Sequence, residues 1–389
     1  MKHYDVVIVG GAIIGSCTAY YLRENGFKGS IALIEKDPTY RQACTALSWG
    51  GIRQQFSTRE NILLSRFGIN VVQNLKTMFG SDADIGFKEQ GYLVMASAGS
   101  VATLEENAAL QQGLGADTVL LRGQALAERF PFVNFDGIAA ASFGARNEGW
   151  FDPYQFMNLF RKAALAQNVD FIADEVVALD VGNVVKSVTL KTGATITLEH
   201  VVNAAGTSGG AVAAMAGFDL PVSAAKRYVY VVDCPAASEE LRKGPAWFNT
   251  DGVYWRPEGR NFLFGFTPSE EEEPKVADWD MEHRWFEEKI WPSAFERIPV
   301  FETLKVVSSY VGHYDYNWFD QNGVIGRHPT LPNFYFGNGF SGHGIQQGPA
   351  TGNAIAELII HGEYRTINLT RMGVERIAKN QPLFEENIF

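Results

Sequence analysis

Tyr4-Asp5-Val6-Val7-Ile8-Val9-Gly10-Gly11-Ala12-Ile13-Ile14-Gly15 decides the fold. The first six residues form an apolar, β-branched run of the kind found in buried parallel strands. Ser16 to Asn25 then carries apolar positions at helical spacing, Gly26 closes the helix, and Ser30 to Glu35 is a second strand ending on a carboxylate. Strand, glycine turn, helix, strand and acid, in that order, make a dinucleotide-binding unit. Gly10 permits the tight turn and Gly15 lets helix and strand pack closely. The helix start at Ala12, Ile13 and Ile14 offers free N–H groups and a positive dipole end to a pyrophosphate. Glu35, with Lys36 beside it, is placed to accept hydrogen bonds from a ribose diol. Ala12 stands where the fingerprint has its middle glycine, and its methyl narrows the approach to phosphate without forbidding it. The unit predicts an ADP-containing cofactor.

Composition bounds the rest. The chain has 389 residues, enough for one large domain or two intimately joined ones. Its net charge of −11, with no basic cluster, argues against a nucleic-acid partner. The first strand begins almost at once, so no targeting peptide is expected, and no apolar run is long enough to span a bilayer. Cys17, Cys44 and Cys234 show no metal-site spacing and read as free thiols in a reducing cytosol.

Downstream, the irregular segment Ala43 to Phe56, containing Ser48-Trp49-Gly50-Gly51 and Arg53, follows the ribose-binding acid and stays near the cofactor. Helices are expected at Arg59 to Met78, Val101 to Gly113, Leu120 to Phe130, Pro153 to Gln167 (capped by Asp152), Ser208 to Ala216, near Asp280 to Trp291, and Ile345 to His361. Strands are expected within Ile85 to Ser97, at Ile138 to Phe143, and in four runs between Val169 and Leu198. Further strands are expected at Tyr228 to Asp233, Gly252 to Arg256, Phe262 to Phe266 and Phe334 to Phe336. Val201-Val202-Asn203-Ala204-Ala205-Gly206 is a second buried strand running into glycine, again suited to close approach to the cofactor. The Glu270-Glu271-Glu272-Glu273 run reads as a solvated loop. A cofactor domain at 1–84, 144–225 and 311–389 would enclose a second domain at 85–143 and 226–310.

Gly337-Asn338-Gly339-Phe340-Ser341-Gly342-His343-Gly344 precedes the last long helix. Four glycines in eight residues suit backbone packed against a flat object, and Ile345 and Gln346 open a helix whose positive end points at it. In a flavoenzyme that end stabilises the negative charge that reduction places on the flavin carbonyl edge.

Together, the fingerprint with Glu35, Asn203-Ala204-Ala205-Gly206, Arg256-Pro257 and Gly-Phe-Ser-Gly-His-Gly resemble the D-amino-acid oxidase superfamily over nearly the whole chain. The likeness is nearest the branch of sarcosine oxidase, dimethylglycine dehydrogenase and oxidases of N-substituted glycines. The resemblance implies an α/β Rossmann-type FAD-binding domain with a discontinuous, β-sheet-based α+β substrate domain. It also implies that Val176 presents its backbone to the adenine. The positions of covalent flavin attachment in relatives fall near Gly312 and Ser48, neither of which is Cys or His, so FAD is expected to be non-covalent. The oxygen-activating lysine of sarcosine oxidase falls at Gln346, which carries no charge.

The implied reaction passes a hydride from a secondary or N-substituted amino acid, sarcosine- or iminodiacetate-like, to flavin N5. The imine hydrolyses, and O2 takes the electrons to give H2O2. Arg53, Arg256, Tyr254, His343 and Gln346 are the candidates for contact with substrate or flavin. The first four have structural alternatives: a surface arginine, a salt bridge, a core aromatic and a packed histidine. Arg327 belongs either to the site or to the fold. His313 and Asp315 share a strand face but lack a third metal ligand. A dehydrogenase feeding a quinone or partner flavoprotein, and a non-catalytic flavin-binding subunit, are the competing classes.

Overall fold

The computed structural model describes residues 2–274 and 276–386. Its first sheet runs in the order Val324–Arg327, Phe334–Asn338, Thr195–Asn203, Lys2–Val9, Ile31–Glu35, Val169–Ala173. The last four strands, with Phe334–Asn338, are mutually parallel. Lys2–Val9 lies at the centre and is covered on both faces. Val6 and Ile8 face one apolar cluster with Ile13 and Phe156, and Val7 and Val9 face another with Val201 and Phe336. Burial on both sides is why this strand reads as an unbroken apolar run rather than an alternating one.

Helix Ile13–Glu24 packs against helix Gly344–His361. The contact is backbone-close because Gly352 faces Cys17 and Gly348 faces Ile13, where a Cβ would clash. Gly68, on helix Arg59–Gln73, touches the Gln346 carbonyl in the same way.

The second sheet has eight strands: Lys305–Asn317, Val222–Asp233, Asn261–Phe266, Val253–Glu258, Ala246–Phe248, Tyr92–Ala96, Ala140–Gly144 and Thr118–Leu121. Trp247, Trp255, Phe262, Phe264 and Phe301 fill its core. Two of its long strands straddle the boundaries expected at 226 and 311, since Val222–Asp233 and Lys305–Asn317 pair along their whole lengths.

Several elements differ from the sequence expectation. The helix expected at Leu120 to Phe130 is instead strand Thr118–Leu121 followed by helix Gln124–Arg129. Val119 and Leu120 pair with Phe143 and Ser142, and that sheet contact overrides the local pattern. The runs at Thr195 and Val201 are one strand, paired along one side with Lys2–Val9. Helix Arg59 to Met78 breaks at Asn74 into Arg59–Gln73 and Leu75–Phe79. The helix near Asp280 starts later, as a π-helical turn Phe286–Ile290 leading into Trp291–Arg297, because Asp278 and Glu282 are tied to Lys226 and Tyr230. Asp152 caps its helix as expected, accepting from Gln155 N at 2.9 Å. Among the described residues, no helix is long and apolar enough to cross a membrane.

Candidate functional site

A long cleft opens along the carboxyl ends of the first sheet's parallel strands and runs to the second sheet. One end is lined by Glu35, Lys36 and Val176, the middle by Gly10, Ala12, Ile13, Ile14 and Ala204 to Gly206, and the far end by Ser48, Trp49, Gly342, Gly344 and Ile345. The Gly10 turn is tight: its N–H donates to Ile34 O at 2.8 Å, and a Cβ would run into the Ala204 carbonyl. Gly15 would meet Gly10 O, so strand and helix cross at backbone contact. Ala12 takes ordinary extended backbone (φ −72°, ψ −160°), so the position accepts a methyl without strain. Glu35 is buried and accepts from Gly11 N and Asp37 N, both at 2.8 Å, which fixes the carboxylate at the cleft wall. Lys36 Nζ donates to Ser208 Oγ at 3.0 Å. Neither Ala12 nor His343, the N-cap residues of helices Ile13–Glu24 and Gly344–His361, makes a side-chain cap bond, and although Ile13 N donates to Thr45 Oγ1 at 3.3 Å, both helix starts face the cleft with their positive ends.

A smaller cavity of about 60 Å³ adjoins the far end. Trp49, Tyr92, Phe248, Tyr254 and Tyr314 wall it, and Arg53, His343 and Gln346 supply its polar groups. The wall is rigid: Phe248 stacks on Tyr92 and Tyr254 at 5.3 and 5.4 Å, and Trp49 meets Tyr254 edge-on at 5.3 Å. Arg53 N donates to Gln346 Oε1 at 2.7 Å, and its guanidinium donates to Gln55 O at 2.5 Å and lies 4.0 Å over Phe56. Burial, and then the Arg53 charge, push His343 down to about 3, so its imidazole is neutral at working pH. Its Nε2 has no protein partner.

The match of residues 5–358 to the family of FAD dependent oxidoreductases named DAO decides what the cleft is for. The chain belongs to that DAO family. FAD is its cofactor, and the uncapped helix starts, glycine cradle and fixed acid described above fit that group. A Xenopus laevis relative, FAD-dependent oxidoreductase domain-containing protein 1, is 40% identical over 423 residues, covering 99% of this chain and 84% of its own. L-proline dehydrogenase from P. horikoshii has the same fold at a TM-score of 0.87 and 24% identity, covering 98% and 100% of the two chains. Glycine oxidase from Geobacillus kaustophilus superposes at 0.80 with 20% identity, over 96% and 99%.

Within this DAO-family cleft the expected residues separate. Ser48, Trp49, Tyr254, Gly342 and Ile345 line both the cleft and the smaller cavity, and Gly51, Arg53, His343 and Gln346 line only the latter. Gly15, Gly50 and Gly339 line neither: Gly50 sits against Phe151, and Gly339 N donates to Asp315. Arg256 also stands outside. Its guanidinium lies between Trp49 and Trp150, 5.1 Å from each ring, donates to Trp49 O and pairs with Glu258. It shares a strand face with Tyr254, but its charge is already answered two residues along. Arg327 packs on Tyr335 away from both cavities. Asp315 holds Gly339 N and Phe340 N, His313 meets Asp278 O at 2.9 Å, and no metal-binding cluster occurs among the described residues.

Two groups escaped the sequence reading. Arg227, on strand Val222–Asp233, lines the cleft with Tyr254 and Tyr314 and pairs with Glu273 at 2.6 Å. Glu273 is thus turned inward rather than solvated. The only sequence signal was a Lys-Arg pair opening an otherwise apolar strand. Glu148 is fully buried, accepts from Gln54 N and Gln55 Nε2 at 2.7 Å, and so steadies the turn beyond Arg53. Desolvation drives it up to about 8 despite those bonds.

Proposed function

We propose that this protein oxidises the C–N bond of a small secondary or N-substituted amino acid, with FAD held non-covalently. The observation that carries the reading is the aromatic-walled cavity with Arg53, neutral His343 and Gln346 at its polar end. Its volume holds roughly four to six waters at about 10–15 Å³ each, the scale of a sarcosine-like acid. FAD, when bound, supplies the two-electron acceptor. Glu35 would hold the ribose, the Gly10–Gly15 turn and the helix start the pyrophosphate, Val176 the adenine, and the Gly342–Gln346 helix start the flavin edge.

The residues then divide the work. The aromatic wall excludes water and fixes the α-carbon, and that positioning contributes most of the rate. Arg53 supplies positive charge at the polar end of the cavity, beside the flavin edge. Unprotonated His343 Nε2 accepts a hydrogen bond from the amine and orients it, while burial and the neighbouring Arg53 charge favour the amine's neutral, oxidisable form. The imine product hydrolyses after release. An iminodiacetate-like diacid would call for a second cation beside Arg53, and Arg256, outside the cavity and paired with Glu258, does not supply it. The second sheet serves as substrate domain, and the cofactor domain is built from the segments around it.

Non-covalent attachment is supported by Gly312 and Ser48 lining the cleft, while burial raises the one lining thiol, Cys44, to about 12 and keeps it protonated. Gln346 gives a second reading for the acceptor. Its amide is held by Arg53 N, and among the described residues no lysine lines the small cavity, which favours a quinone or protein carrier over O2. The test is an anaerobic absorption titration of the purified holoprotein with sarcosine, proline and glycine. Bleaching by one of them is expected, with slow return of colour in air. Failure of every amino acid to bleach the flavin would refute the proposal and leave a non-catalytic flavin subunit. Rapid return in air would make it an oxidase releasing H2O2. Colour retained in an acid pellet would overturn non-covalent binding.

A further inference from the structure

Residues 267–274 and 276–282 form a strap beside the cleft, which Trp279 lines, and its inward contacts fall on two neighbouring residues and on the adjacent strand. Glu273 pairs with Arg227, Asp278 pairs with Lys226, and Trp279 lies on His313 with ring centres 4.2 Å apart. The Arg227 contact is unusual in what it leaves undone. The guanidinium is buried, its side chain 6% exposed, and flanked by the rings of Tyr314 and Tyr316 at 5.2 and 5.6 Å. One Glu273 oxygen reaches Nη1, which also donates to Lys226 O at 2.8 Å. Nε is buried with no partner. A guanidinium normally meets a carboxylate with two parallel bonds, so this pairing leaves a donor unsatisfied where water does not reach.

The position of Arg227 explains what else would take that donor. In the sheet it is the cross-strand partner of Gly312, which has no side chain to screen it from the cleft. Tyr254 and Tyr314, beside it, line the substrate-sized cavity as well.

We propose that Arg227 is a carboxylate anchor for the substrate, that Glu273 occupies the anchor in the free enzyme, and that an incoming carboxylate displaces it. The exchange replaces one carboxylate by another, so the buried guanidinium is never left without a counter-charge, whereas simple opening of the strap would strand it. Opening is therefore coupled to arrival of an anion. The inference rests on the reading of the cavity as an amino-acid site.

The test uses holoprotein and a carboxylate that cannot be oxidised. Acetate is titrated into wild type, Glu273→Gln and Arg227→Lys, with acetamide as the uncharged control, and binding is read from the perturbation of the flavin absorption band. Glu273→Gln should bind acetate at least tenfold more tightly with acetamide unchanged, and Arg227→Lys should weaken acetate at least tenfold. A Glu273→Gln constant within twofold of wild type, or an equal shift for acetamide, overturns the proposal. Glu273 lies outside the helices and strands, so this variant decides the matter even if Arg227→Lys does not fold. Because no turnover is needed, the two readings fail separately. Acetate behaviour as expected in a protein that no amino acid bleaches supports the anchor and sinks the C–N oxidation. Bleaching by sarcosine with unchanged acetate binding sinks the anchor alone.

Discussion

Replacing Glu385 by alanine should destabilise the protein by about 3–5 kcal/mol, although the residue lies far from the cleft in sequence. Its carboxylate is buried and accepts five hydrogen bonds: Ser57 N at 2.6 Å and Oγ at 2.7 Å, Thr58 N and Oγ1 at 3.0 Å, and Asn61 Nδ2 at 2.9 Å. It accepts from Thr58 N at the N-cap of helix Arg59–Gln73, the bond a capping-box Glu makes, while Thr58 itself makes no side-chain cap bond. Losing a cap costs about 0.5–2 kcal/mol, and each buried N–H left unpaired adds about 1–3 kcal/mol before water enters. At about 2.1 cal/mol/K per residue, 389 residues give an unfolding entropy near 0.8 kcal/mol/K, so the loss corresponds to a fall in Tm of about 4–6 °C. Thermal melts of wild type and Glu385→Ala holoprotein, followed by release of flavin fluorescence, measure it. The segment beyond the cap leads back to Arg53, so KM should rise as well. A fall in Tm below about 1 °C would show that the five bonds contribute no more than solvent does, and the capping argument would be wrong.

Glu148 and His343 set opposite pH limbs. Glu148 is protonated in the fold up to about 8 against an ordinary 4.5, so the native state holds the extra proton and stability falls as pH rises through that window. His343 titrates near 3 against an ordinary 6.5, so its contribution is lost as pH drops below 6.5. The urea midpoint at pH 5, taken relative to that at pH 8, should be lower in Glu148→Gln than in wild type, and an unchanged relative midpoint would remove Glu148 from the account. Gly68→Ala should destabilise by about 1–3 kcal/mol despite the better helix former, because its Cβ meets the Gln346 carbonyl. Activity should fall more than stability, as kinetics beside a chemical melt will show; an unaffected kcat would mean that the final helix absorbs the methyl without moving Gln346.

What could be read from the chain was what nearby residues decide. The strand and helix from Tyr4 to Glu35, the Asp152 cap and the final helix are written in spacing of a few residues, and they appear where expected. Thr118–Leu121 became a strand only because Ala140–Gly144 lies beside it. Arg227 with Glu273, and Thr58 with Glu385, are pairings across 46 and 327 residues that no local pattern encodes. Arg256 was misplaced for a different reason. Its neutralising partner, Glu258, was visible two residues on, but strand alternation says which face a side chain takes and not how far along that face the cleft extends.

The two helices whose starts point into the cleft, Ile13–Glu24 and Gly344–His361, come from opposite ends of the chain and meet through Gly352. A ribosome delivers the second of them only some three hundred residues after the first. Until then the emerging chain has only one of the two helix starts that the proposed FAD site uses, and a product truncated before Gly337 would lack the helix that packs against Ile13–Glu24.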